Sequence, residues 1–186
     1  MNNLLKTKSI LAVMLFVSVI LMLLWVRSAY YQWYDPELLL TAELAQASSE
    51  PDSMVLYLDL DCPCNFLSSV HIDNLRLKYQ SSVSQYIWLD PDQWSETIVK
   101  KLAAQFAIEP NNIIEAPSYW QRIIKKTPTV ILFNRSGALG YLGPVSSGLS
   151  CNTSNSFIDQ LLENIANGIR VNGLINSQVK GCFCDQ

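Results

Sequence analysis

At 186 residues, 49% of them hydrophobic and 16% charged, the chain has room for one ordinary domain and is neither a disordered polymer nor a highly charged nucleic-acid binder. Its net charge of -3, from 13 Lys and Arg against 16 Asp and Glu, conceals an asymmetry: every acidic residue lies at or beyond Asp35, whereas Lys6 and Lys8 come before. The five cysteines, Cys62, Cys64, Cys151, Cys182 and Cys184, leave an odd thiol unless one pairs between chains.

In Ile10–Val26 only Ser18 is not apolar. As a helix this run is about 26 Å long, close to the ~30 Å hydrocarbon core of a bilayer. Trp25 at the end of the run, and Tyr30, Tyr31, Trp33 and Tyr34 after it, are rings of the kind that settle at headgroup level. The run is long for the apolar part of a signal peptide, and Arg27 sits inside the plausible cleavage site, so an uncleaved anchor is expected. Lys6 and Lys8 precede the span, which assigns the N-terminus to the cytoplasm and the rest to the far side. For a bacterium that is the periplasm, where disulfides persist. The exported part holds ten basic against 16 acidic residues, a poor partner for nucleic acid. Asn134-Arg-Ser136 and Asn152-Thr-Ser154 match glycosylation acceptors, a pattern common by chance.

Asp35–Ala47 reads as a short amphipathic helix and 48–52 as a linker. Met54–Leu60 has strand character, Asn65–Gln80 is helical in pattern, and Val83–Leu89 returns to strand. Asp90-Pro-Asp92 is expected to cap a helix from Gln93 to Phe106. Residues 108–126 are irregular, with a helical turn or two from Tyr119 to Lys125. Thr129–Phe133, the turn Asn134–Gly137 and a strand through Tyr141 make a hairpin. Ser156 and Asp159 open a helix that ends at Gly168, and 169–186 have no strong period. A βαβ half followed by a ββα half implies an α/β fold with one mixed sheet covered by helices on both faces.

Cys62-Pro-Cys-Asn65 and Thr127-Pro-Thr-Val-Ile-Leu-Phe-Asn-Arg-Ser-Gly137, in that order, resemble the thioredoxin-like fold over roughly residues 53–167. The resemblance implies that Pro128 is a cis-proline beside the cysteine pair, that Thr127 offers its backbone to substrate, and that Gly137 and Gly143 match the glycines of the hairpin turn and of the last strand. With its anchor, Cys-Pro-Cys and Gly-Cys-Phe-Cys tail, the chain also resembles a group of membrane-anchored bacterial thioredoxin-like proteins with no known activity. The implied organisation is a cytoplasmic 1–9, a transmembrane signal anchor at 10–27, a juxtamembrane helix and linker at 28–52, the thioredoxin-like domain at 53–168 and a cysteine-bearing tail at 169–186. One departure matters: thioredoxins have Cys-x-x-Cys, and here one residue separates Cys62 from Cys64. An ungapped alignment puts Cys64 in the resolving place, a gapped one makes Cys62 the nucleophile, and the residues do not choose.

Thiols at a helix start are favoured as thiolates by the macrodipole and free amides, while Asp59 and Asp61 oppose a second anion. A Cys62–Cys64 disulfide would close a very small, strained ring, so the pair is either oxidising or isomerising, or its members pair elsewhere. Cys151, Cys182 and Cys184 are the candidate partners. The reading is a thiol-disulfide exchange protein with catalytic residues Cys62, Cys64, Pro128 and Thr127, no cofactor and no resident metal; whether it is an enzyme stays open. Its expected partners are exported protein thiols or a redox partner protein, together with the membrane. The alternatives are a Cu(I)-binding or delivery module using the same soft sulfurs, or a non-catalytic domain with structural disulfides. His71 is read as a surface or boundary histidine and Trp88 as core; Tyr119 and Trp120 are read as core in preference to a peptide groove.

Overall fold

The computed structural model of the protein describes residues 2–34, 50–145, 158–171, 173–175 and 179–185. The helix expected at 35–47, the Ser156 cap and Cys151 lie outside them. Helix α1, Asn2–Tyr30, contains the apolar run and extends past it at both ends. Its Leu11–Ser28 section, with no residue buried, is long and apolar enough to cross a membrane. Strand β1, Tyr31–Tyr34, follows without a linker.

The central sheet is built from β2 (Ser53–Leu58), β3 (Ser84–Leu89), β4 (Ile113–Glu115), β6 (Thr129–Phe133), β7 (Leu139–Pro144) and β8 (Leu174–Ile175), in the order β4-β3-β2-β6-β7-β8. Strands β2, β3 and β4 run parallel, with Val55 opposite Tyr86 and Ile87 opposite Ile113. Strand β6 is antiparallel to both β2 and β7, with Ile131 opposite Val55 and Leu142. Parallel neighbours need a crossover, which α2 (Cys64–Tyr79) supplies between β2 and β3, and α5 (Ile158–Ala166) lies between β7 and β8. The remaining helices are α3, Glu96–Phe106, and the short α4, Ser118–Ile123.

Side chains alternate across the sheet as a period of two requires. Met54, Leu56 and Leu58 join Ile72, Leu75, Leu102, Leu132 and Leu162 in the core beneath α2, α3 and α5. Val55, Tyr57, Ile131 and Phe133 join Trp88, Trp120 and Ile124 beneath α4. This βαβ-ββα mixed sheet with helices on both faces is the thioredoxin-like architecture implied by the motifs. The Thr127–Pro128 bond is cis and Gly137 has φ +74°, the left-handed value its hairpin turn needs. Gly168, at φ +70°, ends α5 in a Schellman motif: its N–H donates to Ile165 O, and that of Ile169 to Asn164 O.

Several expectations are corrected. Helix α3 starts at Glu96, capped by Ser95 Oγ, which accepts from Ile98 N at 3.3 Å; Asp90 instead precedes a 3-10 turn at Pro91–Gln93. His71 is 2% exposed, not a boundary residue. The Asn134 side chain is buried, donating to Val171 O and accepting from Ser136 and Ala138, so it is closed to glycosylation. The irregular 108–126 stretch contains β4 and runs into β5 (Lys126–Thr127), and the patternless tail contributes β8 to the sheet as well as β9 (Val179–Cys182) and β10 (Cys184–Asp185).

Candidate redox site

Strand β2 delivers the chain to a tight loop before α2. Asp59 organises that loop: its backbone O accepts from Cys62 N at 3.0 Å and from the Asn65 amide, and its Oδ1 accepts from Asp61 N at 3.0 Å and Gln93 Nε2 at 2.6 Å. Gln93 Oε1 in turn accepts from Leu60 N at 2.8 Å. Pro63 precedes the first turn of α2, where its missing N–H costs nothing, and no side chain among the described residues caps that end. Cys62 and Cys64 therefore meet an uncapped helix N-terminus, an environment that favours a thiolate.

The two cysteines are not joined to each other. Cys62 is bonded to Cys184 and Cys64 to Cys182, with Cα separations of 5.8 and 5.5 Å. Equal spacing explains the match. In an extended strand residues i and i+2 share a face, so Cys182 and Cys184 present two sulfurs side by side to Cys62 and Cys64. Phe183 between them is 2% exposed.

The tail strand is held on both sides. Residues 179–182 pair antiparallel with β1, Tyr31 opposite Cys182. Residues 184–185 pair antiparallel with β5, Cys184 opposite Thr127 and Asp185 opposite Lys126, and Lys126 Nζ donates to Asp185 Oδ1 at 2.9 Å. Cys62 Sγ lies 3.6 Å from Thr127 O, beside the cis-proline. Thr127 Oγ1 is buried without a hydrogen-bond partner among the described residues.

Of the site residues expected from sequence, Cys62, Cys64, Thr127, Pro128, Cys182 and Cys184 converge. Cys151 lies outside the described residues. Sequence reasoning missed Lys126, Asp185 and Gln93 and read Asp59 only as a charge opposing the thiolate, not as the hydrogen-bonding centre of the loop; the matched spacing of the two Cys-x-Cys motifs is a signal for the pairing, but nothing local marks the strand contacts. Cys62, Cys64 and Cys182 are buried and Cys184 is half-buried. A cleft of about 390 Å³ opens beside Cys62 between α2 and α3, lined by Leu60, Asp61, Ile98, Lys101 and Phe106. Trp120 is away from it, packed between Trp88, Tyr119 and Phe133 at centroid distances of 5.5 to 5.9 Å.

Sulfurs at a helix start beside a cis-proline, on a βαβ-ββα sheet, define a thioredoxin-like protein. Over residues 32–186 the sequence matches the model of a family described as a domain of unknown function, DUF6436, and the chain belongs to that family. No curated protein matches it. A hypothetical protein of Sinorhizobium meliloti and an uncharacterized conserved protein of Geobacillus kaustophilus each share 15% identity and a TM-score of 0.52 with it, over 84% of this chain and 93% and 90% of theirs. A thiol:disulfide interchange protein of Chlorobium tepidum is 13% identical with a TM-score of 0.45, over 74% of this chain and 94% of its own. At 15% identity the first two likenesses speak to fold alone.

Proposed function

We propose that the protein is a membrane-anchored thiol-disulfide exchange protein of the bacterial periplasm, exchanging its Cys62–Cys184 disulfide with protein thiols. The observation that carries this reading is the placing of that bridge: one sulfur at the α2 N-terminus and 3.6 Å from Thr127 O, the other on a half-buried residue. Incoming thiolate meets Cys184 more readily than buried Cys62, and Cys62 is the better leaving group because helix amides stabilise its thiolate. A partner thiolate attacks Cys184 Sγ, the Cys62–Cys184 bond breaks, and Cys62 leaves as a thiolate. The partner's second thiol then attacks its own sulfur in the mixed disulfide, releasing Cys184. The partner dithiol becomes a disulfide and the bridge becomes two thiols, with two electrons and two protons transferred. Run backward, the same steps oxidise the bridge.

The location is supported by α1, whose exposed apolar Leu11–Ser28 section suits a bilayer and not water, and by Lys6 and Lys8 on the N-terminal side of that section. The test is disulfide reduction and isomerisation by the full chain in detergent or lipid. Wild type should turn over a disulfide substrate, and Cys62→Ser should lose at least tenfold. Full activity in Cys62→Ser, or none in wild type, refutes exchange.

A second reading has its own observation: the sulfurs of Cys62, Cys64 and Cys184 all lie within 4.8 Å of one another. Once reduced, they form a soft thiolate set suited to Cu(I). Failure of the reduced chain to take Cu(I) from a competing chelator refutes it.

A further inference from the structure

The exchange chemistry above uses one bridge of the two. The other is closed to the outside: Cys64 is 0% exposed and Cys182 is buried, and thiol exchange depends on access. From within, it is close at hand. All four cysteines pack into one cluster, and the sulfurs of Cys62 and Cys184 lie within 4.8 Å of the Cys64 sulfur, which belongs to the second bridge. The tail has holds besides the Cys62–Cys184 bond, since β9 pairs with β1, Phe183 is buried, and Cys184 and Asp185 pair with β5. Reduction of the outer bridge therefore leaves two thiols facing a buried disulfide, kept there by the strands and not by the bond just broken.

We infer that Cys64–Cys182 is a second redox-active bridge, reduced and reoxidised through Cys62–Cys184, so that the protein holds two electron pairs and not one. This inference rests on the exchange reading and gives its site an internal electron store. Cys184 is the attacking group, because attack by Cys62 on Cys64 would close the very small Cys-Pro-Cys ring. The Cys184 thiolate attacks Cys64 Sγ, the Cys64–Cys182 bond breaks, and Cys182 leaves and takes the proton that Cys184 gave up. The Cys62 thiolate then attacks Cys184 Sγ, the Cys64–Cys184 bond breaks, and Cys64 leaves and takes the proton of Cys62. Cys64 is the first residue of α2, where free amides favour its thiolate as the leaving group. Two electrons and two protons have passed from the outer dithiol to the inner disulfide, and no outside reactant takes part. Both steps are intramolecular between sulfurs already side by side, which removes the entropic cost of bringing them together. The outer bridge is whole again and accepts a second pair from another partner dithiol. Run backward, the stored pair returns to the outer bridge and leaves through it to a partner disulfide.

The experiment uses the full chain in lipid nanodiscs, dithiothreitol as reductant, acid quenching, and mass-spectrometric mapping of thiols and disulfides residue by residue. One equivalent of dithiothreitol should yield molecules with Cys62–Cys184 intact and Cys64 and Cys182 as thiols, a state that attack from outside on the exposed bridge does not produce. With reductant in excess, Cys64–Cys182 should open at least tenfold faster in wild type than in Cys62→Ser/Cys184→Ser, which keeps the inner bridge and lacks the relay. Cys62→Ser alone has no sulfur to resolve the first step and should hold Cys64–Cys184 alongside Cys64–Cys182 without any reductant. Equally fast opening in a folded double variant, or an inner bridge that stays closed in wild type, overturns the inference. Should the double variant unfold, the Cys62→Ser isomer decides: its presence supports the relay and its absence overturns it. Turnover of a disulfide substrate by the same wild-type samples separates the two proposals. Turnover without inner thiols sinks the relay alone, whereas inner thiols without turnover support the relay and sink the exchange function.

Discussion

His71 occupies a place no periodicity marks. Seven residues beyond Cys64 on α2, it is buried, and neither ring nitrogen has a hydrogen-bond partner among the described residues. Burial pushes its imidazole below the ordinary 6.5, against an upward pull from the Asp159 carboxylate. The unfolded chain therefore takes up a proton near pH 6.5 that the folded chain refuses. Stability should fall as pH drops below that value and level off once folded His71 protonates, with a slope of at most about 1.4 kcal/mol per pH unit for one proton. Asp159, held low by Lys78 and Tyr79 despite its own burial, titrates below its ordinary 3.8 and stays out of this window. Denaturant midpoints between about pH 7.5 and pH 5 should show the slope in wild type and lose it in His71→Leu. An unchanged slope in the variant assigns it to other groups. At the same scale, Trp120 is 4% exposed, so Trp120→Ala should cost about 3–5 kcal/mol through the cavity it leaves and not through a lost substrate contact. Unchanged stability with impaired turnover would restore the groove reading.

Among the elements, the two bridges are nested, spanning 122 and 118 residues. In the chain-entropy description the first bridge to close restricts a long loop, worth about 5 kcal/mol, while the second closes a ring of only a few residues, worth about 2 kcal/mol. Either Cys64→Ser or Cys184→Ser alone should therefore lower stability by about 2 kcal/mol, and the double variant by about 7 kcal/mol, more than the two single losses together. Additive single and double losses in denaturant unfolding would show that the bridges do not share a loop. The elements also show what sequence reading reaches. Strands β2, β3 and β6 and helix α2 were legible because Met54–Leu58 and Thr129–Phe133 are apolar runs of strand length and α2 follows a cysteine-proline start. Strands β5, β9 and β10 were not. They are two to four residues long and their partners lie up to about 150 positions away, so pairing and not local pattern creates them. The convergence of Cys62, Thr127 and Pro128 followed from motif order, whereas the crosswise bonding to the tail required the register that β1 and β5 impose.

For the whole molecule, orientation is the first question. A periplasm-dependent reporter such as alkaline phosphatase, fused after residue 186, should be active, and a reporter that needs the cytoplasm should not. The opposite result would put the cysteines in a reducing compartment and leave the exchange reading without its setting. Chain lacking residues 2–28 should leave the membrane fraction, since the apolar exposed surface of α1 goes with it. The ribbon of β1 and β9 has a consequence for how this protein would meet others. Tyr31 follows the last residue of α1 directly and pairs with Cys182, about 5 Å away across an antiparallel pair, and the Cα of Cys182 is 5.5 Å from that of Cys64. Two such steps join the end of the helix to the start of α2. With α1 in a bilayer, the sulfurs do not roam on a long tether. They sweep a thin layer above the lipid, so for any partner held in the same membrane encounter becomes a search in two dimensions, its rate following surface density and not concentration in the surrounding volume.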